Sequence, residues 1–125
     1  DAYFALFFNS TGSGIGSIRR VGTTNSVAFN TTSDRRLKEN IIAANTASNL
    51  IDSIQVVQYD WKDGPHINFG VIAQDLNDIA PEAVSVGDDE DVDDPRKPWG
   101  VDYSKLVPML IKEIQELRSR VAALE

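Results

Sequence analysis

The sequence contains no cysteine and a single histidine, and nowhere holds the roughly 18 to 20 consecutive apolar residues that a membrane-spanning helix needs. Without cysteine there is no disulfide framework and no thiolate metal site, and the composition fits folding in a reducing compartment. The lone histidine, His66, sits in the turn sequence "GPHIN", reads as a surface residue and supports no Ser-His-Asp triad. No charged-then-apolar leader opens the chain. Basic charge is scarce too, with 12 Lys and Arg against 19 Asp and Glu for a net −7. Residues 1–33 carry Arg19 and Arg20 against Asp1, a local +1, which leaves −8 on residues 34–125. That balance disfavours nucleic acid and anionic membrane as partners. The expectation is a soluble chain that starts within a longer protein.

What is present is 125 residues with 42% hydrophobic content, enough for one modest domain with appendages. "YFALFF" (3–8) is apolar on both faces of an extended strand, with Phe4, Leu6 and Phe8 on one side and Tyr3, Ala5 and Phe7 on the other. Such a strand calls for burial on both sides. "NSTGSGIGSIRR" reads as turn residues around Ile15 and Ile18, and "SVAFN" as a short strand. This glycine-punctuated segment forms no core alone, so it is expected to be the tail of a larger β structure that also contacts the rest of the chain.

Beyond Lys38 the pattern changes. "ASNLIDSIQVVQYDW" suggests a short helix around Leu50, Ile51 and Ile54, with Asn45 or Thr46 as N-cap, then a strand through Val56, Val57, Tyr59 and Trp61. After turn chemistry in "KDGPH", a strand is expected at Ile67 to Val71, then a helix through Ala73, Leu76, Asn77 and Ile79 that Pro81 stops. A loop with a short strand on either side comes next. The fold class is α+β with a small antiparallel sheet and short helices. The run Asp88 to Asp94 holds six carboxylates in seven residues, but the calcium-loop order of ligands and glycine is absent. It reads as a solvated loop whose repulsion Arg96 and Lys97 relieve, and no metal or cofactor is expected.

The C-terminal residues Val107, Leu110, Ile114, Leu117, Val121 and Leu124 are spaced three, four, three, four, three. This is a heptad seam with β-branched residues at a and leucine at d. In a parallel, in-register assembly Glu113 would meet Arg118 and Arg120 would meet Glu125, both pairs of opposite sign. The residue types at a and d lean towards dimers, while Ile111 at e widens the stripe and suits a third helix, so two or three strands both remain open. A helix packed on its own domain is the competing reading, because the repeat is short.

Four segments then carry a resemblance: "TTSDRRLKENI" (31–41), "YDWKDG" (59–64), "FGVIAQDLNDIAPEAV" (69–84) and "VDYSKLVPMLIKEIQELRSRVAALE" (101–125). In this order and spacing they resemble the endosialidase-type intramolecular chaperone domain, a detachable C-terminal tail of phage tailspikes, tail fibres and neck appendages. A Ser-Asp-x-Arg-Leu-Lys motif, a Gly-x-Ile-Ala-Gln-Asp motif and a terminal coiled coil together are specific. The resemblance implies residues 1–33 as the end of an upstream β-rich fibre or stalk, such as a triple β-helix, 34–105 as the chaperone body and 106–125 as a coiled-coil trimerisation helix. It implies a homotrimer that aligns three β-rich chains and then releases itself by autoproteolysis. Its partners would be its own copies and the upstream fibre domain, with no nucleic acid or membrane. Assembly would occur in the host cytoplasm, and the mature upstream part would reside in the virion tail, neck or fibre.

The resemblance also implies a serine peptidase dyad of Ser33 and Lys38, with Ser33-Asp34 as the bond cut. A lysine is a base only when neutral, which requires desolvation or nearby positive charge to lower its pKa from about 10.4, and Arg35 and Arg36 are placed to help. Residues five apart face away from each other on a strand or helix. Either the chain bends or the lysine comes from a neighbouring chain. Attack of Ser33 on its own carbonyl would close a four-membered ring, while attack on the Thr32 carbonyl would cut one bond earlier. If Lys38 is not the base, Asp75 and His66 are the remaining candidates. The residues alone read differently, as Ser33 or Asp34 capping a helix that starts at Arg35. The alternative function is a permanent trimeric foot that registers the fibre or adheres to a host without cutting.

Overall fold

The computed structural model describes residues 2–89 and 95–125. The chain divides into two compact units, residues 1–43 and 44–125. Both strands and helices are present, in small antiparallel sheets followed by a C-terminal helix, which gives the expected α+β class.

The first unit is a three-stranded antiparallel sheet in the order β1-β2-β3, with β1 at Tyr3–Phe8, β2 at Gly14–Arg20 and β3 at Val27–Thr31. The middle strand corrects the sequence reading, which took Ile15 and Ile18 as part of a turn. The turn is confined to Asn9–Ser13, where the Asn9 side-chain oxygen accepts from the Thr11 and Ser13 backbone N–H groups, both at 3.0 Å, and Gly12 adopts φ 85°. Beyond it, low side-chain bulk suits a central strand: a Cβ on Gly16 would lie 2.7 Å from the Asn30 carbonyl oxygen of β3. Ile18 pairs with Ala5 on one side and Phe29 on the other. Within one chain, however, β1 does not obtain burial on either face. Phe4, Leu6 and Phe8 on one side, and Tyr3 and Phe7 on the other, are all at least half exposed.

The second unit opens with α1 (Ser48–Ser53), followed by the hairpin of β4 (Val57–Asp60) and β5 (His66–Gly70). The N-cap of α1 is Ala47, not Asn45 or Thr46 as the sequence suggested. Thr46, one residue before the cap, accepts from the Ser48 N–H at 3.4 Å while its hydroxyl donates to Glu116 Oε2 at 2.6 Å, and the cap position itself falls on Ala47, which is 5% exposed. Helix α2 (Ala73–Asn77) is shorter than expected and does not reach Ile79. Pro81 disfavours helical backbone in the residue before it, and Ala80 accordingly adopts φ −135°, ψ 71°. A 3-10 turn (Pro81–Ala83) leads into β6 (Val84–Ser85), which pairs with β7 (Gly100–Val101). The base of the intervening loop is closed by Asp88, whose backbone N–H donates to the Lys97 carbonyl at 2.8 Å and whose carboxylate accepts from the Lys97 N–H at 3.0 Å. Most of the acidic run, residues 90–94, lies outside the described residues.

The core of this unit is small. Leu76, Ala80 and Ala83 are buried, and Ile54, Val71, Val84, Val101, Leu106 and Met109 pack around them. Leu76 at 2% exposed contributes roughly 1.5–3 kcal/mol through its burial, which makes α2 the keystone of the body. A 3-10 turn (Tyr103–Leu106), capped by the Asp102 carboxylate accepting from Ser104 N–H, feeds α3 (Val107–Ala123) with Pro108 in its first turn.

The face that α3 turns to its own unit is unusual. Met109, Lys112, Glu113 and Glu116 are the partly buried positions, while Val107, Leu110, Ile111, Ile114, Leu117 and Val121 each remain about half exposed. Glu113 accepts from the Ser48 hydroxyl at 2.8 Å and Glu116 from the Thr46 hydroxyl, so a largely polar stripe docks α3 beside α1. The expected heptad seam therefore faces outward. This disfavours the alternative in which the apolar stripe packs on its own domain.

Candidate self-cleavage site

The site is built at the end of the first unit, where β3 gives way to the motif. Thr32 prolongs the pairing with β2: its N–H donates to the Ile15 carbonyl at 2.9 Å and its hydroxyl to the Gly14 carbonyl at 3.3 Å. Ser33 is the first residue beyond that anchorage. Asp34 then caps a single 3-10 turn over Arg35–Leu37, with its carboxylate accepting from the Arg36 backbone N–H at 2.8 Å. The turn closes with Leu37 N–H donating to the Asp34 carbonyl and Lys38 N–H to the Arg35 carbonyl, both at 3.1 Å.

This turn brings Lys38 back towards Ser33. Lys38 Nζ donates to Ser33 Oγ at 2.5 Å, within one chain. The bend, one of the two routes open from sequence, is present within the single chain. Ser33, Arg35, Lys38 and Ile41 line a cavity of about 340 Å³. Downstream, Asn40 takes the left-handed conformation at φ 54°, which asparagine tolerates better than most residues. Leu37, Ile41 and Ile42 around the motif are all exposed, so the single chain leaves apolar surface uncovered beside the Ser33-Lys38 pair.

The two arginines have separate placements. Arg35 lines the cavity, whereas Arg36 turns to Asp34, with Nη2 at 2.8 Å from Oδ2 and Nε at 3.1 and 3.2 Å from the two carboxylate oxygens. The Arg36 guanidinium first, and its backbone N–H second, hold the Asp34 carboxyl below the usual carboxylate range, and Asp34 in turn pushes Arg36 up. Capping by Asp34 and contact between Ser33 and Lys38, competing readings of the sequence, thus coexist. Sequence reasoning missed the Asp34-Arg36 fork, although an Asp two residues before an Arg at a turn was the available signal. It also missed Glu113 and Glu116 as anchors of α3, for which no local signal exists, since their partners lie 65 and 70 residues away.

The other candidates belong to the second unit. His66 sits on the β4-β5 hairpin with Nδ1 2.7 Å from Asp60 Oδ1 and Nε2 3.0 Å from Gln58 Oε1. Asp75 lies in the first turn of α2. Among the described residues, no group of three or more His, Asp or Glu side chains is arranged to hold a metal ion, and no helix is long and apolar enough to cross a membrane.

Residues 33–85 match the family model described as chaperone of endosialidase, the peptidase S74 family. The matched stretch begins at Ser33 and ends with β6, so it contains the Ser33-Lys38 pair and leaves out α3. No curated protein and no solved structure matches the chain.

The Asp34-Arg36 pair gives a definite pH signature. Because the folded carboxyl is depressed, its contribution to the turn is present above the ordinary aspartate pKa and is lost as pH falls through the lowered one. In a carboxyl-resolved NMR titration of the Ser33→Ala chain, Asp34 should titrate below a free aspartate. Arg36→Ala should move that midpoint up; identical midpoints with and without Arg36 would contradict the assignment.

Proposed function

We propose, from the match of residues 33–85 to the model described as chaperone of endosialidase, that the chain is a self-cleaving intramolecular chaperone for a β-rich phage fibre or tailspike. The observation that carries this reading is the 2.5 Å approach of Lys38 Nζ to Ser33 Oγ inside the matched motif. Ser33 is the nucleophile and Lys38 the base, and the bond cut is Ser33-Asp34. Proton transfer to a lysine requires its neutral form, which desolvation favours. Covering Leu37, Ile41 and Ile42 in an assembly would exclude water from the pair.

Assembly is a homotrimer joined through the outward seam of α3. The exposed Val107, Leu110, Ile114, Leu117 and Val121 supply the apolar contact, and Ile111 widens it enough for a third helix. The upstream β-rich part is the client. Non-local β pairing is slow and exposes edges that aggregate, and holding three chains at one end raises their effective concentration and fixes their register. The exposed aromatic faces of β1 are what such a client would bury between copies.

Assembly also bears on the chemistry. A four-membered ring keeps Ser33 Oγ from the carbonyl carbon of its own residue, so in this proposal the Ser33-Asp34 carbonyl it attacks belongs to a neighbouring chain. The Asp34 amine leaves with the proton that Lys38 took from the hydroxyl, and a water then hydrolyses the ester that briefly joins the two chains. Cutting therefore requires prior trimerisation, and release of the chaperone leaves the client behind a kinetic barrier to unfolding. Folding takes place in the host cytoplasm, and the released upstream part enters the virion tail, neck or fibre. A permanent trimeric foot or host-adhesion module is the alternative, and it requires no chemistry at Ser33.

Ser33→Ala should abolish cleavage and leave the assembled state unchanged, because it removes one exposed hydroxyl and opens no cavity. Lys38→Arg should assemble normally and be nearly inert, since arginine keeps the charge but does not give up its proton. Denaturing gels over time read both; fragments from Ser33→Ala, or parent-rate cutting by Lys38→Arg, would exclude the dyad. Leu117→Asp places a carboxylate in every copy of the seam, and burying it unpaired is costly enough to prevent a short coiled coil. Sedimentation should show a monomer that does not cut, and a monomer that cuts at the normal rate would contradict attack between chains.

A further inference from the structure

The contact between Ser33 and Lys38 needs a cause, because side chains five residues apart do not meet on an extended chain. The turn between them is one 3-10 turn with two internal backbone bonds and no buried residue, so packing does not hold it. Short 3-10 segments have poor hydrogen-bond geometry and little stability of their own. What ties this one is the Asp34 carboxylate, which accepts the Arg36 backbone N–H and receives the forked Arg36 guanidinium on both oxygens. A planar guanidinium meeting a carboxylate bidentately fixes orientation as well as distance, which a lysine cannot do.

We infer that Asp34 and Arg36 form a positioning clamp that folds Lys38 back onto Ser33, so that the residue just after the proposed cut sets the geometry of the cut. The inference rests on the self-cleavage reading. Asp34 acts through the turn and takes no part in proton transfer. The Arg36 side chain is 88% exposed, and such a pair contributes little to the stability of the whole chain. Its effect is local, on the fraction of chains in which the lysine reaches the hydroxyl. Thr32 anchors the upstream side to β2 while the clamp sets the downstream side, leaving Ser33 between two fixed points. The same fork draws Arg36 to Asp34, leaving Arg35 as the arginine that lines the cavity with Lys38.

The test is the first-order rate of self-cleavage of the full chain across a range of pH, with sedimentation as a check that each variant assembles. Asp34→Ala removes both cap and fork and should slow cleavage about tenfold, the scale of a lost cap together with a lost charge-assisted pair. Arg36→Ala and Arg36→Lys remove only the fork and should slow it about threefold, and Asp34→Asn, which keeps a cap oxygen, should match them. The double variant Asp34→Ala, Arg36→Ala should be no slower than Asp34→Ala alone, because the fork has no partner once Asp34 is gone. The shape of the pH–rate curve should be that of the parent in every variant, only lower. Parent-rate cleavage by Asp34→Ala, additive losses in the double variant, or an altered curve shape in Asp34→Asn would each overturn the clamp. A parent chain that never cuts, or a Ser33→Ala chain that does, would instead overturn the self-cleavage reading beneath it.

Discussion

One constraint organises the structure: a single chain leaves much of its own apolar surface in water. The core of the second unit rests on Leu76 and two alanines, while β1 carries aromatic side chains exposed on both faces and α3 presents its apolar stripe to solvent. Exposed apolar patches of this extent mark surfaces meant for a partner. The inward face of α3 is held instead by carboxylates accepting from Thr46 and Ser48, a polar attachment that fixes the helix while leaving its seam free. In the proposed assembly, other copies of the chain cover this surface, which makes assembly a precondition for the proposed chemistry.

The proposed chemistry sits where the first unit ends. A strand pinned by Thr32, a hydroxyl at Ser33, a capped turn and an amine at Lys38 succeed one another within a few residues. Such a local device needs little of the body behind it to place the two side chains. Exclusion of water and the supply of a bond to cut are what assembly would add. In the proposed sequence of events, the site is prearranged in each chain and becomes productive in company.

Legibility in the sequence tracked the range of the interactions. The all-apolar run "YFALFF", the Gly-Pro turn before β5 and the three-four spacing of α3 are local patterns, and the elements appear where those patterns fall. β2 was hidden because glycine and serine signal turns, whereas here small residues admit a close neighbouring strand at Gly16. The cap of α1 falls at Ala47, one residue later than the sequence suggests, while Thr46 joins the Ser48 N–H to Glu116, far along the chain. At the site, the motif gave Ser33 and Lys38, but not the means of bringing them together. The means inferred here is a side-chain fork between Asp34 and Arg36, whose two-residue spacing at a turn signals the pair but not its forked geometry.

The most direct measurement is the intact mass of the freshly expressed chain carrying its own upstream β region. Two fragments whose masses place the junction between Ser33 and Asp34 are the expected result. A single uncut mass that persists in the assembled protein would contradict self-cleavage and leave a permanent assembly foot in its place. A junction between Thr32 and Ser33 would contradict attack between chains, because that bond lies within reach of Ser33 of the same chain.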